Sequence, residues 1–162
     1  MSALDIPLFP EITSLIPHRG NMVLLDKVIA ATEDSLCAEV RIDGKNIFFD
    51  TGINAVGAWL GIEFMAQAVA ALEGYLCLRR GETVSLGFLL GARRYESHCA
   101  EFAEGCVLHI HAHKVLENAN GLAAFECKIT DPQQHLLANA TVTVFKPDKV
   151  DQFLVRSESA GV

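Results

Sequence analysis

Organised cysteine is what this sequence has least of. Its five cysteines, Cys37, Cys77, Cys99, Cys106 and Cys127, are odd in number and scattered, and no two form a C-x-x-C pair. That spacing disfavours both a disulfide framework and a cysteine-rich zinc site, so reduced, buried thiols in a cytoplasmic protein are expected. Positive charge is also scarce, because 13 Lys and Arg stand against 20 Asp and Glu for a net charge of −7. No broad cationic surface for nucleic acid or anionic lipid is expected. Charges interrupt the chain often enough that no uncharged run reaches the ~18 residues a membrane span needs. The N-terminal stretch has an acid at Asp5, prolines at 7, 10 and 17, and no basic segment ahead of an apolar run, so it does not read as a signal peptide.

What is present suits one core. The 162 residues fit the length of a single domain, and a hydrophobic content of 51% is enough to fill it. The domain is expected to span 1–162, with its core roughly over 12–146 and a short polar tail over 147–162. A helical turn around Glu11 to Leu15 is ended by Pro17, since a residue before proline is pushed out of the helical region. Met22 to Ala31 and Ser35 to Ile42 read as the two arms of a hairpin about the polar turn Thr32-Glu33-Asp34. Asp43 to Asn46 is a turn. Ala55 to Leu78 reads as one long helix, rich in good helix formers and closed by Arg79, Arg80 and Gly81, where cations and then glycine suit a C-terminus. Its apolar residues lie on nearly every side, which predicts burial. Strand-like segments follow at Val84 to Glu96, Cys106 to Leu116, Leu122 to Thr130 and Leu136 to Phe145. A curved antiparallel sheet wrapped around one helix, an α+β architecture, accounts for this order.

Several residues stand out against that plan. Glu63 is a lone carboxylate among apolar neighbours in GAWLGIEFMAQ, the stretch from Gly57 to Gln67. His18 lies in a loop just ahead of the first strand and has a side chain suited to titration near neutral pH. Gly57 and Gly61 stand four apart where a helix start leaves backbone N–H groups unpaired, which suits either a substrate carbonyl or close packing against a neighbouring subunit. His109, His111 and His113 alternate along LHIHAHKV and point to one face of a strand, yet no local carboxylate or cysteine completes a metal site, so a solvated strand face is expected. Arg79, Arg80, Arg93 and Arg94 are the doubled cations of an acidic chain. Asp26 suits a hydrogen-bonded strand or turn, and Trp59 an apolar core or tunnel lining.

The order of elements, with Pro17-His-Arg-Gly-Asn-Met-Val-Leu-Leu-Asp26 and Leu60-Gly-Ile-Glu-Phe-Met-Ala-Gln67, resembles the hotdog-fold 3-hydroxyacyl-(acyl carrier protein) dehydratases. It is most similar to the divergent dehydratase-like branch associated with aryl polyene and related type II polyketide clusters, whose helix starts P-A-W-x-G-I-E-x-M-A-Q; here Gly57 replaces the proline. The resemblance implies a hotdog fold and dehydration of a 3-hydroxyacyl thioester carried on the phosphopantetheine of an acyl carrier protein. No metal or other cofactor is implied. It places Glu63 at the catalytic acid, Ala58 and Trp59 with Gly57 and Gly61 near substrate, and the four arginines as candidates for carrier docking. It also implies a homo-oligomer or a heteromer with another hotdog subunit. The classical partner is a histidine in a G-H-F-P loop, and the corresponding Phe48 to Asn54 stretch contains none. His18 is then the candidate base. A non-catalytic partner subunit and an acyl-thioesterase are the alternatives.

Overall fold

A computed structural model describes residues 8–84 and 88–145. The expected tail over 147–162, the first seven residues, and positions 85–87 of the strand expected from Val84 lie outside the described residues.

Among the described residues, eight strands and one α-helix run in the order β1 Lys27–Ala31, β2 Ser35–Arg41, β3 Ala55–Gly57, α1 Gly61–Arg79, β4 Phe88–Ser97, β5 Glu101–Ala103, β6 Val107–Glu117, β7 Leu122–Thr130 and β8 Leu136–Phe145. Six of the strands form one antiparallel sheet in the order β1-β2-β6-β7-β8-β4, and β3 pairs with β5 in a separate ribbon. The side-chain alternation of a strand decides which face meets the helix. Leu36, Ala38 and Val40 of β2, Leu108, Ile110 and Ala112 of β6, and Phe125, Cys127 and Ile129 of β7 are buried, while the residues between them point outward. Against that inner face lie Phe64, Met65, Ala68 and Leu72 of α1, each fully buried. Burying each of the large ones stabilises the fold by about 1.5–3 kcal/mol. This is the α+β hotdog architecture, a central helix in a curved sheet.

By length and composition Ala58–Arg79 would also fit across a bilayer, but 61% of its most apolar window is buried inside the protein, as in a core helix. The helix ends as expected. Gly81 takes φ +70°, its N–H donates to Leu78 O at 3.1 Å, and the Glu82 N–H donates to Cys77 O at 2.9 Å. These two bonds are a Schellman closure, which requires the left-handed conformation glycine adopts freely.

The start of the helix differs from the expectation. Ala55–Gly57 is a strand paired with Glu101–Ala103, and Ala58–Leu60 is a 3₁₀ turn, so α1 begins at Gly61. Local preference favours helix over 55–60, but pairing with a strand more than forty positions away overrides it, as tertiary context commonly does. The first hairpin arm is also shorter, beginning at Lys27, because Met22 and Leu24 are held by the Gln67 side chain instead of a ladder. Asp26 does act as a strand-end acid, its Oδ2 accepting the Arg41 N–H at 2.7 Å. None of the five cysteines, all among the described residues, is in a disulfide, but only Cys77 and Cys127 are buried; the other three are partly exposed. Burial pushes the Cys127 thiol up to about 12.

Candidate active site

One face of α1 is not covered by the sheet. Glu63 in its first turn, Gln67 one turn on and Gly74 two turns further share a face, because spacings of four and seven nearly close whole turns of 3.6 residues. The chain from Leu15 to Leu24 lies along this face and is attached to it at both ends. At the far end, Gly74 has no side chain, and a Cβ placed there would stand 2.0 Å from the Leu15 carbonyl oxygen. At the near end, the fully buried Gln67 accepts the Leu24 N–H through Oε1 at 2.9 Å and donates from Nε2 to Met22 O at 2.8 Å. Gln67 Nε2 also donates to Glu63 Oε1 at 3.3 Å, which orients the carboxylate.

Between these attachments the chain turns through Pro17, His18 and Arg19. Arg19 Nη1 donates to Ile16 O at 2.7 Å and His18 O at 2.6 Å, closing the turn on itself. His18 is thereby carried to Glu63, with Nε2 at 3.6 Å from Oε1. That separation is ion-pair reach, longer than a hydrogen bond, and contacts of this kind commonly tighten only when substrate is present. The side chains are 28% and 36% exposed, so both remain accessible. Nδ1 of His18 is buried and has no hydrogen-bond partner among the described residues.

The pair opens into a cleft of about 660 Å³, which has Ala66, Val69, Ala70 and Phe125 on its apolar walls. Charged groups occupy its more distant parts. Arg80 lines it and pairs with Glu82 at 3.2 Å. Glu73 lines it too, and receives Lys114 from β6 at 2.8 Å, with Glu117 at 3.2 Å from the same ammonium. Burial alone would lower the pKa of Lys114, but the two carboxylates more than offset this and raise it.

The residues expected beside the substrate at the helix start lie away from this cleft. None of Gly57, Ala58, Trp59 and Gly61 lines this cleft. The Gly61 N–H donates to Ala58 O and the Ala58 N–H to Ala100 O at 3.0 Å, so these donors are already used within the chain. Both glycines pack closely inside the chain: a Cβ at Gly57 would meet the Trp59 indole at 2.2 Å, and one at Gly61 the Tyr95 hydroxyl at 2.4 Å. The Tyr95 hydroxyl in turn donates to Ala58 O. Trp59 is 62% exposed, edge-on to Phe48 at 5.6 Å, and is neither core nor cleft lining.

The arginines separate. Arg80 is at the cleft, Arg79 lies over the Tyr75 ring at 5.8 Å, and Arg93 and Arg94 are exposed on β4. The three histidines of β6 share the outer face, as alternation requires, but two are not simply solvated. His109 sits 3.6 Å from Glu39, and His111 Nε2 is 3.0 Å from Thr130 Oγ1. Burial, followed by Lys128 and His109, lowers the His111 pKa to about 4. Among the described residues no three His, Cys, Asp or Glu side chains gather as a metal site.

The family model described as ApeP-like, ApeP dehydratase, matches residues 10–155. The chain belongs to the ApeP-like dehydratase family. Membership makes it a dehydratase or a dehydratase-like subunit, in line with the resemblance carried by the Pro17 to Asp26 and Leu60 to Gln67 stretches. A 3-hydroxyacyl-(acyl-carrier-protein) dehydratase FabZ from Pseudothermotoga lettingae is 30% identical over 135 residues, covering 83% of this chain and 92% of that protein. A chain of the dehydratase heterocomplex ApeI:P from Xenorhabdus doucetiae superposes with a TM-score of 0.81 at 27% identity, over 91% of this chain and 97% of that one. Zebrafish thioesterase superfamily member 2 shares the fold alone, with a TM-score of 0.63 at 13% identity over 83% and 92% of the two chains.

Sequence reasoning singled out His18 and Glu63 but missed Gln67, Gly74 and Lys114. Two of these carried a signal: a glutamine one turn after the carboxylate in an otherwise apolar helix, and a glycine in the helix interior, where glycine is costly.

Proposed function

We propose that this ApeP-like chain dehydrates 3-hydroxyacyl thioesters presented on the phosphopantetheine of an acyl carrier protein, with His18 as base and Glu63 as acid. The observation that carries the reading is the 3.6 Å approach of His18 Nε2 to Glu63 Oε1 at the head of an apolar-walled cleft. His18 Nε2 takes the proton α to the thioester carbonyl. The Glu63 carboxyl gives its proton to the β-hydroxyl as the Cβ–O bond breaks, so water leaves and a 2-enoyl thioester remains. His18 then holds the extra proton and Glu63 lacks one, and transfer between them restores the starting state. Every step is a proton transfer, so the reading calls for no metal and no cofactor besides the carrier's arm.

Ala66, Val69, Ala70 and Phe125 give the cleft an apolar wall for the acyl chain, and Arg80, which also lines it, is the member of the arginine set best placed to meet an acidic, phosphate-bearing carrier. The heterocomplex to which the chain is similar supports assembly with a second hotdog dehydratase subunit. The test is turnover of a carrier-bound 3-hydroxyacyl substrate by the dehydrating assembly. Glu63→Gln and His18→Ala are each expected to lower it by about 10²- to 10⁴-fold with the fold retained. Full activity in either variant overturns that residue's assignment.

A further inference from the structure

The segment that brings His18 to Glu63 is seated on the helix by a backbone-to-backbone contact that only glycine permits. Ile12, Leu15 and Ile16 anchor it in the core, and Gln67 holds it at 22–24, but its placement along α1 is set where the Leu15 carbonyl oxygen would stand 2.0 Å from a Cβ at Gly74, with the Leu15 carbonyl carbon at 2.8 Å. Both atoms are main chain, so no rotamer change relieves the clash. Glycine is the poorest helix former apart from proline, and a buried helix-interior position would ordinarily favour alanine. We infer that Gly74 is a positioning residue for His18, holding the Leu15–Leu24 strap at the height that places Nε2 beside Glu63.

The inference rests on the assignment of His18 and Glu63 as the reacting pair. Seating an alanine at ordinary contact, 3.4 Å or more, requires the Leu15 carbonyl to move by over 1 Å. His18 follows three residues later, before the Gln67 attachment, so the movement passes to it. A 1 Å misplacement of a catalytic group costs about 10²-fold.

Gly74→Ala in the dehydrating assembly is therefore expected to keep a cooperative melt, to lower kcat by about 10²-fold with KM within about threefold, and to lengthen the 3.6 Å His18–Glu63 separation beyond 4 Å in a crystal structure of the variant. Wild-type kcat and an unchanged separation in the folded variant would overturn the inference while leaving the roles of His18 and Glu63 intact. A fully active His18→Ala would instead remove the reading on which it rests. Should Gly74→Ala not fold, Ile16→Val loosens the same strap without touching the helix; it is expected to lower kcat in preference to KM, and an unchanged kcat there also counts against the inference.

Discussion

Gln67 is fully buried and makes three hydrogen bonds, and replacing it with methionine keeps its unbranched shape while removing all three. The Leu24 N–H loses its acceptor in a residue only 5% exposed, which costs about 1–3 kcal/mol because water cannot replace the partner. The Met22 carbonyl belongs to a residue 42% exposed and can be rehydrated, so its loss is nearer 1 kcal/mol. Together Gln67→Met should cost about 2–4 kcal/mol, a large share of the ~5–15 kcal/mol that holds a domain folded, and lower Tm by roughly 5–15 °C. The third bond, to Glu63, is long at 3.3 Å. Its loss should slow turnover by about fivefold, corresponding to roughly 1 kcal/mol. Urea unfolding of parent and variant gives the first quantity, and carrier-bound turnover gives the second. A variant within about 0.5 kcal/mol of the parent would show that residues 22–24 are held by something other than Gln67, and the strap described above would lose one of its attachments.

The Glu73–Lys114 pair is largely enclosed, with side chains 15% and 12% exposed, so Lys114→Met should destabilise by about 3 kcal/mol, and the double variant with Glu73→Gln by clearly less than the two single losses added; additive effects in a denaturation cycle would mean the pair is not coupled. For His111, the folded pKa of about 4 lies below the ordinary histidine value of 6.5, so the unfolded chain binds the extra proton between these limits and stability falls as pH drops through that window. After allowance for its partial exposure, His111→Gln should recover about 1–2 kcal/mol of the acid-induced loss between pH 7 and pH 4.5, with little effect at pH 7, as read by urea unfolding at the two pH values.

Elements whose signals are local were legible from the amino-acid order. Leu122–Thr130 and Leu136–Phe145 follow the strand alternation and the turn residues around them to the residue, and the helix ends where cations and Gly81 meet. An all-round apolar helix next to several strands pointed to the wrapped architecture, because a strongly curved sheet can cover most sides of it. Pairings that depend on distant partners were not legible. Val56 lies in a helix-favouring run yet forms a ladder with Phe102, and Glu101–Ala103 carries too short a pattern to mark a strand by itself. The same division holds at the site. Glu63 and His18 were visible by residue type and neighbourhood, but their 3.6 Å approach is a product of the strap's path over α1. That path depends on contacts across 43 and 45 positions at Gln67, and on the absence of a side chain at Gly74. A sequence shows which side chains can do chemistry, whereas the packing of backbone against backbone decides which of them meet.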